Sequence, residues 1–225
     1  MNKENDFRKY AVHHLGMSGN AVDSYNNYVS NMTPYIIEER PNNFRPIDVF
    51  TRLIADRIIF LGMGIDDLVS NLITAQLLYL ESTDSKSDIL MYINSPGGSV
   101  YDGFGIYDTM NYIQPKVGTL CTGMAASMAA VLLACGEKGM RGALKHSRVM
   151  IHQPSSGMRG VVSDMEIALK ETQEVTKDLY EILANATGKT VEQISKDANR
   201  DKWMRSNEAK EYGIIDDVYD KRTRK

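Results

Sequence analysis

Only two cysteines occur in 225 residues, Cys121 and Cys135, and neither belongs to a CxxC pair or a ligand-spaced cluster. That argues against a disulfide-built fold and against thiolate zinc or dithiol chemistry, and it fits a reducing compartment. Neither sign of charge dominates. The 26 Lys and Arg residues stand against 29 Asp and Glu, and the one basic block is the short tail 221–225, so no nucleic-acid partner is expected. There is no GxGxxG and no GxxxxGK followed by Ser or Thr, which leaves the chain without a nucleotide motif of its own. The start, MNKENDFRKY, is charged where an export signal needs its apolar stretch, so a cytoplasmic location is expected. A long uninterrupted apolar run is missing as well: residues 119–136, TLCTGMAASMAAVLLACG, are broken by Thr119, Thr122, Gly123 and Ser127. They read as strand, turn and buried helix rather than a membrane span.

What the chain does have is ordinary apolar content, 43%, and a length suited to one domain with an extension. Within the broken run, the β-prone segment Val117 to Thr122 is followed by Gly123 as a turn and by Ala125 to Ala134, which favours helix. Ser127 therefore falls where a helix begins. Backbone N–H groups there lack helical partners and point toward a developing oxyanion, so Ser127 is a candidate nucleophile. A small serine chosen for close packing among alanines explains the same stretch.

Along the chain, residues 1–33 show weak periodicity and carry Gly16, Gly19 and several Asn, which predicts a mobile or removable leader. Tyr35 to Ile37 is a strand candidate, and Glu38 to Arg45 a polar loop. Pro46 is expected to open a helix running to about Arg57. Strands are expected at Ile58–Leu61, Ile89–Asn94, Val117–Thr122 and Val149–Ile151, with a further arm over Lys138–Leu144 and a last strand over Ile214–Tyr219. Helices are expected from an Asp66 cap to about Leu80, from Gly103 to Ile113, and from a Ser163 cap to about Ala186. Two shorter ones are expected, capped by Thr190 and by Ser206. The alternation predicts a largely parallel α/β sheet with functional loops at strand carboxyl ends.

Two further features lie on such loops. Pro96-Gly97-Gly98 lets backbone amides approach a ligand closely, and His152 closes the strand Val149–Ile151 as a candidate base, with His146 near enough to compete. For a carboxylate to orient the base, Asp102, Asp201 and Asp216 remain open on the residues alone.

The segments YINSPGGS (92–99), GMAASM (123–128), MIHQP (150–154) and Arg200-Asp201, in that order, closely resemble the ClpP caseinolytic protease family over about residues 33–220, in particular the form with an extended N-terminus found in Bacteroides-like bacteria. The resemblance implies a ClpP/crotonase-like spiral of repeated βαβ units, single over 34–225, with a projecting handle at about 153–186. It implies a serine endopeptidase with Ser127 as nucleophile, His152 as general base and Asp201 as the orienting carboxylate, and with the N–H groups of Gly98 and Met128 as oxyanion hole. Extended substrate would pair along Gly98, Ser99 and Val100 on one side and Gln153, Pro154 and Ser155 on the other. Tyr92 and Tyr112 match positions in the family's hydrophobic docking pocket. The implied assembly is a homo-oligomer of two stacked heptameric rings, fed by an AAA+ unfoldase of the ClpX, ClpA or ClpC kind that uses the ATP. No cofactor, metal or membrane is implied for this chain. Two departures stand out: the turn Ser155 to Gly160 is poor in glycine, and Asn199 stands where the family often has an acidic residue for contact across the rings. Alternative readings are a crotonase-like acyl-CoA enzyme, which needs paired amides but not the three side chains, and a non-catalytic ring subunit.

Overall fold

The computed structural model describes residues 3–20, 22–23, 36–40, 43–157 and 159–221. Tyr35, Met158, residues 222–225 of the basic tail, and residues 1, 2, 21 and 24–33 of the expected leader lie outside them.

A parallel sheet forms the centre. Strands β3 (Ile58–Leu61), β4 (Ile89–Ser95), β5 (Val117–Ala126), β6 (Arg141–Leu144) and β9 (Asp217–Tyr219) run side by side in that order, and β7 (Arg148–Ile151) pairs with β5. All these pairings are parallel; β8 (Lys202–Arg205) adds to β7 antiparallel. Parallel strands need crossovers, and helices supply them: α3 (Asp67–Thr83) between β3 and β4, α4 (Val100–Tyr112) between β4 and β5, and α5 (Met128–Ala134) between β5 and β6. The alternating strand and helix order read from the sequence is therefore present.

One irregularity shapes everything near Ser127. Between Ile93 and Ser95 on β4 the pairing advances from Cys121 to Ala125 on β5, so β5 carries extra residues there. Before this bulge β5 pairs with β6 through Thr119–Cys121, and after it with β7 through Met124–Ala126. Gly123, at φ 140°, sits in the bulge, where an added β-carbon would stand 2.6 Å from Asn94 Oδ1. A bulge re-aims the strand end. The sequence placed the turn at Gly123 and helix from Ala125; instead the strand continues through Ala126 and the turn is Ser127 itself, because β7 offers Ala125 and Ala126 a ladder partner.

Helix α5 is buried along its whole length, as a helix apolar on all sides must be. In the same core lie Ile59, Leu61, Met91, Ile93, Ile106 and Ile151, each with almost no exposed surface. Arg141 closes this layer from below. Its guanidinium donates to Ala134 O at the end of α5 and to Ala186 O, both at 2.9 Å, and pairs with Asp216 Oδ1 at 2.6 Å. The same guanidinium holds the Asp216 carboxyl below its ordinary range.

Other boundaries differ from expectation for local reasons. Of the expected loop 38–45, residues 41 and 42 lie outside the described residues, and 38–40 and 43–45 belong to an antiparallel ribbon of β1 (Ile36–Arg40) and β2 (Asn43–Ile47), with Pro46 in the second strand. A two-stranded ribbon leaves one edge of each strand unpaired, where a residue without N–H is tolerated. Helix α2 (Val49–Ala55) starts only after Asp48, whose Oδ1 accepts from Thr51 N at 2.9 Å. Helix α4 begins at Val100 under a Ser99 cap, three residues before its expected start. Asp66 and Thr190 cap α3 and α7 (Val191–Asp197) as expected. Ser163 and Ser206 do not act as caps: α6 (Val162–Thr187) starts after Val161 and α8 (Ser206–Tyr212) after Arg205, with Glu208 accepting from the Arg205 N–H at 2.6 Å.

Helix α6 packs only through its second half. Val175, Leu179, Tyr180, Leu183 and Ala184 are buried, while Val162, Ile167 and Leu169 in the first half are 67%, 69% and 48% exposed. The part of the expected handle that precedes it carries no strand: residues 152–157 and 159–161 have no ladder partner among the described residues. Within the expected leader, α1 (Lys3–His13) is helical, and Ala11 and Val22 are fully buried against Ala75 of α3. Among the described residues no helix is long and apolar enough to cross a membrane.

Candidate active site

Ser127 stands at the junction of β5 and α5 with φ 56° and ψ −127°. A non-glycine residue there is strained by about 1–3 kcal/mol and persists only where its surroundings hold it. Here the Ser127 N–H donates to Met150 O at 2.8 Å, and its carbonyl accepts from Ala130 N at 2.9 Å, so strand β7 and helix α5 grip it from both sides. The turn projects the hydroxyl out of the sheet instead of into either element.

Strand β7 delivers the second group. His152 follows its last residue, and Nε2 lies 2.9 Å from Ser127 Oγ. The other ring nitrogen, Nδ1, lies 3.1 Å from Asp201 Oδ1. This last contact follows from strand register: β8 pairs Ile151 with Lys202, so the next residue along β7 meets the residue before Lys202. Asp201 was open among three candidates in the sequence, and β8 was not foreseen. The competitors are engaged elsewhere, Asp216 with Arg141 and Asp102 in the first turn of α4. His146 lies in the turn before β7, at the far end of the strand from His152.

Gly97 and Gly98, at φ 86° and 154°, face this turn. A β-carbon on Gly97 would stand 2.5 Å from Ala126 O, 2.8 Å from Ser127 Cβ and 2.9 Å from Met128 N; one on Gly98 would run into the Ile65 carbonyl. The loop can therefore approach the serine turn this closely only because residue 97 is glycine, while glycine at 98 lets it lie against Ile65. Among the described residues the N–H groups of Gly98 and Met128 have no protein acceptor. Two free donors beside a serine hydroxyl are what a tetrahedral oxyanion requires.

The expected substrate-contacting residues divide. The Ser99 N–H is already donated to Ile65 O at 2.9 Å, so it is committed within the protein. Val100 and Pro154 join Met128, Val131, Ile151 and Leu179 around a small apolar cavity of about 20 Å³ next to Ser127 and His152. Ser155 is exposed and outside that cavity, and Gln153 is tied to the turn before Asp201. Tyr92 lines a separate groove of about 300 Å³ with Leu90, Leu120, Met140, Leu144 and Tyr219, while Tyr112 lies outside it, 82% exposed. Gly97, singled out in the sequence as part of a close-approach loop, abuts the serine turn, and Asn94, which was given no role of its own, accepts through Oδ1 from Met124 N at 3.2 Å inside the bulge.

Thiol chemistry does not compete here. Burial pushes the Cys121 thiol up and that of Cys135 up to about 12, so both stay protonated near neutrality. Among the described residues no cluster of His, Cys, Asp and Glu is arranged to hold a metal ion.

Residues 41–222 match the family model described as Clp protease. The chain is 57% identical to a protein of Porphyromonas gingivalis named ATP-dependent Clp protease proteolytic subunit, over 96% of this chain and 98% of that relative. Proteins of the same name from Bacteroides fragilis and Bacteroides thetaiotaomicron are 56% and 55% identical, each over 95% of this chain and 97% of the relative.

Proposed function

The chain belongs to the Clp protease family, and from that premise we propose that Ser127, His152 and Asp201 carry out its peptide-bond hydrolysis, with Gly98 and Met128 as oxyanion donors. It is a serine peptidase, the proteolytic subunit of an ATP-dependent Clp protease. The observation that supports the residue assignment is the continuous contact chain from Ser127 Oγ to His152 Nε2, 2.9 Å, and from His152 Nδ1 to Asp201 Oδ1, 3.1 Å.

In the proposed mechanism Ser127 Oγ attacks the scissile carbonyl carbon as its proton passes to His152 Nε2. The carbonyl electron pair moves onto oxygen, where the N–H groups of Gly98 and Met128 meet it. Asp201 accepts from His152 Nδ1–H, which fixes the tautomer and offsets the charge that builds on the ring. Collapse of the adduct breaks the C–N bond, and His152 gives its proton to the departing amine. Water then repeats the sequence on the acyl-serine, releasing the acid and restoring the hydroxyl. The crotonase-like and non-catalytic alternatives require none of this side-chain alignment.

Unfolded polypeptide is the proposed substrate, paired in extended form with the backbone at Gly98 and Val100 and at Gln153–Ser155. The proposed assembly is a pair of stacked heptameric rings in the cytoplasm, with the exposed half of α6 and the segment from 153 as handle between them. Residues 1–33 are proposed to be a leader removed on maturation, and ATP to be used by a docked AAA+ unfoldase of the ClpX, ClpA or ClpC kind. The test is Ser127→Ala: cleavage of a short fluorogenic peptide should fall to background, and retained cleavage would remove the assignment.

A further inference from the structure

Asp201 is held in an unusual way. Its side chain is 60% exposed, and among the described residues the carboxylate's recorded partner is His152. Nothing else grips the carboxylate, so its aim depends on the backbone that carries it. On the C-terminal side that backbone is fixed: Lys202 pairs with Ile151 in the sheet, and its ammonium donates to Asp197 Oδ1 at 3.1 Å, while Asp197 Oδ2 accepts from the Tyr212 hydroxyl at 2.9 Å. On the N-terminal side the chain leaves α7 at the fully buried Ala198 and turns through Asn199 and Arg200 outside any ladder.

One residue spans that unpaired turn. The Gln153 N–H donates to Ala198 O at 2.6 Å, and its side-chain Nε2 donates to Asn199 O at 2.9 Å. Gln153 is also the residue directly after His152. A single side chain thus ties the segment bearing the base to the turn bearing the acid, one residue from the first and two from the second. We infer that Gln153 is a positioning residue that sets the His152–Asp201 contact through the hydrogen bond its side-chain Nε2 donates to the Asn199 carbonyl. Its backbone N–H and its side-chain donor are thus both committed to this turn.

This inference rests on the proposed roles of Ser127, His152 and Asp201, and the test separates the two. Gln153→Ala removes the strut, and Gln153→Glu keeps its shape while setting a carboxylate oxygen against the Asn199 carbonyl. Each is made alone and with Asp201→Ala, and studied on protein of wild-type oligomeric mass. Two readouts are taken: kcat and KM on a short peptide, and the rate of covalent labelling by a small fluorophosphonate that carries no peptide strand. Both variants should lose roughly 10-fold to 100-fold in kcat and in labelling rate, the range a sub-ångström to 1 Å misalignment produces, with KM changed less than about twofold. In the Asp201→Ala background Gln153→Ala should cost less than about threefold, because residues acting as one unit are not additive. A rise in KM with unchanged labelling would make Gln153 a substrate contact, and equal losses in both backgrounds would make it independent of Asp201; either overturns the inference. Full hydrolysis by Ser127→Ala would instead remove the underlying assignment.

Discussion

Ser127 combines a strained backbone with a free hydroxyl, and its neighbours show how that strain is held. Gly97 packs against Ser127 Cβ and the Met128 amide with no room for a methyl group, at a φ of 86° that alanine resists. Gly97→Ala should therefore displace the serine turn and lower kcat on short peptides by about 100-fold with folding retained, read by steady-state kinetics beside circular dichroism. Some of this was legible in the chain. Ser127 and His152 could be named as candidates because a serine at a helix start and a histidine at a strand end each carry a local signal. Asp201 could not be told from Asp102 and Asp216 without the resemblance, because what selects it is register between β7 and β8. Register is a pairing property, and no residue near Asp201 announces it. The hydrogen bond from Gln153 to the Asn199 carbonyl is equally invisible in the sequence, since the two residues lie 46 apart.

At the level of elements, local propensity failed where a partner strand decided the outcome. Ala125 and Ala126 prefer helix, yet they are strand because β7 pairs with them beyond the bulge. The segment KWMR became β8 because β7 has a free edge, although two charged ends and one tryptophan give it little strand signature. Pro46 suggested a helix start that the Asp48 cap places later. The long apolar strands and α3, by contrast, were plain from periodicity, since their burial pattern follows their own sequence. Arg141 supplies a test at this scale, since it joins the ends of α5 and α6 to Asp216 from a nearly buried position, with 5% of its side chain exposed. Removing one partner of a buried pair leaves a charge uncompensated, so Asp216→Asn should cost about 3 kcal/mol near neutrality in denaturant unfolding. Because Arg141 lowers the folded-state pKa of Asp216, this stabilisation is complete above the unfolded carboxylate value, about 3.9, and is lost as pH falls through the folded value. The gap between wild type and variant should therefore close on acidification below about pH 4.

At the scale of the whole molecule, one apolar helix stretch stands uncovered among the described residues. The first half of α6 holds Val162, Ile167 and Leu169 in the open, and the segment 152–161 reaches it without a ladder partner among its described residues. Periodicity identified this helix but could not say whether its stripe faced its own domain; the second half does, and the first does not. In the proposed assembly that free half meets a second ring, and the peptidase site opens into an enclosed chamber. The purified protein should cleave short peptides without ATP, yet degrade a stably folded protein only with an unfoldase and ATP, measured as loss of the intact band on a gel. Rapid ATP-independent digestion of that protein would contradict an enclosed site. The most direct test of the central assignment is peptide mapping by mass spectrometry after fluorophosphonate treatment of the wild-type assembly. The account predicts one adduct per subunit, on Ser127, absent after His152→Ala; an adduct on another residue, or none in protein that hydrolyses peptides, would contradict it.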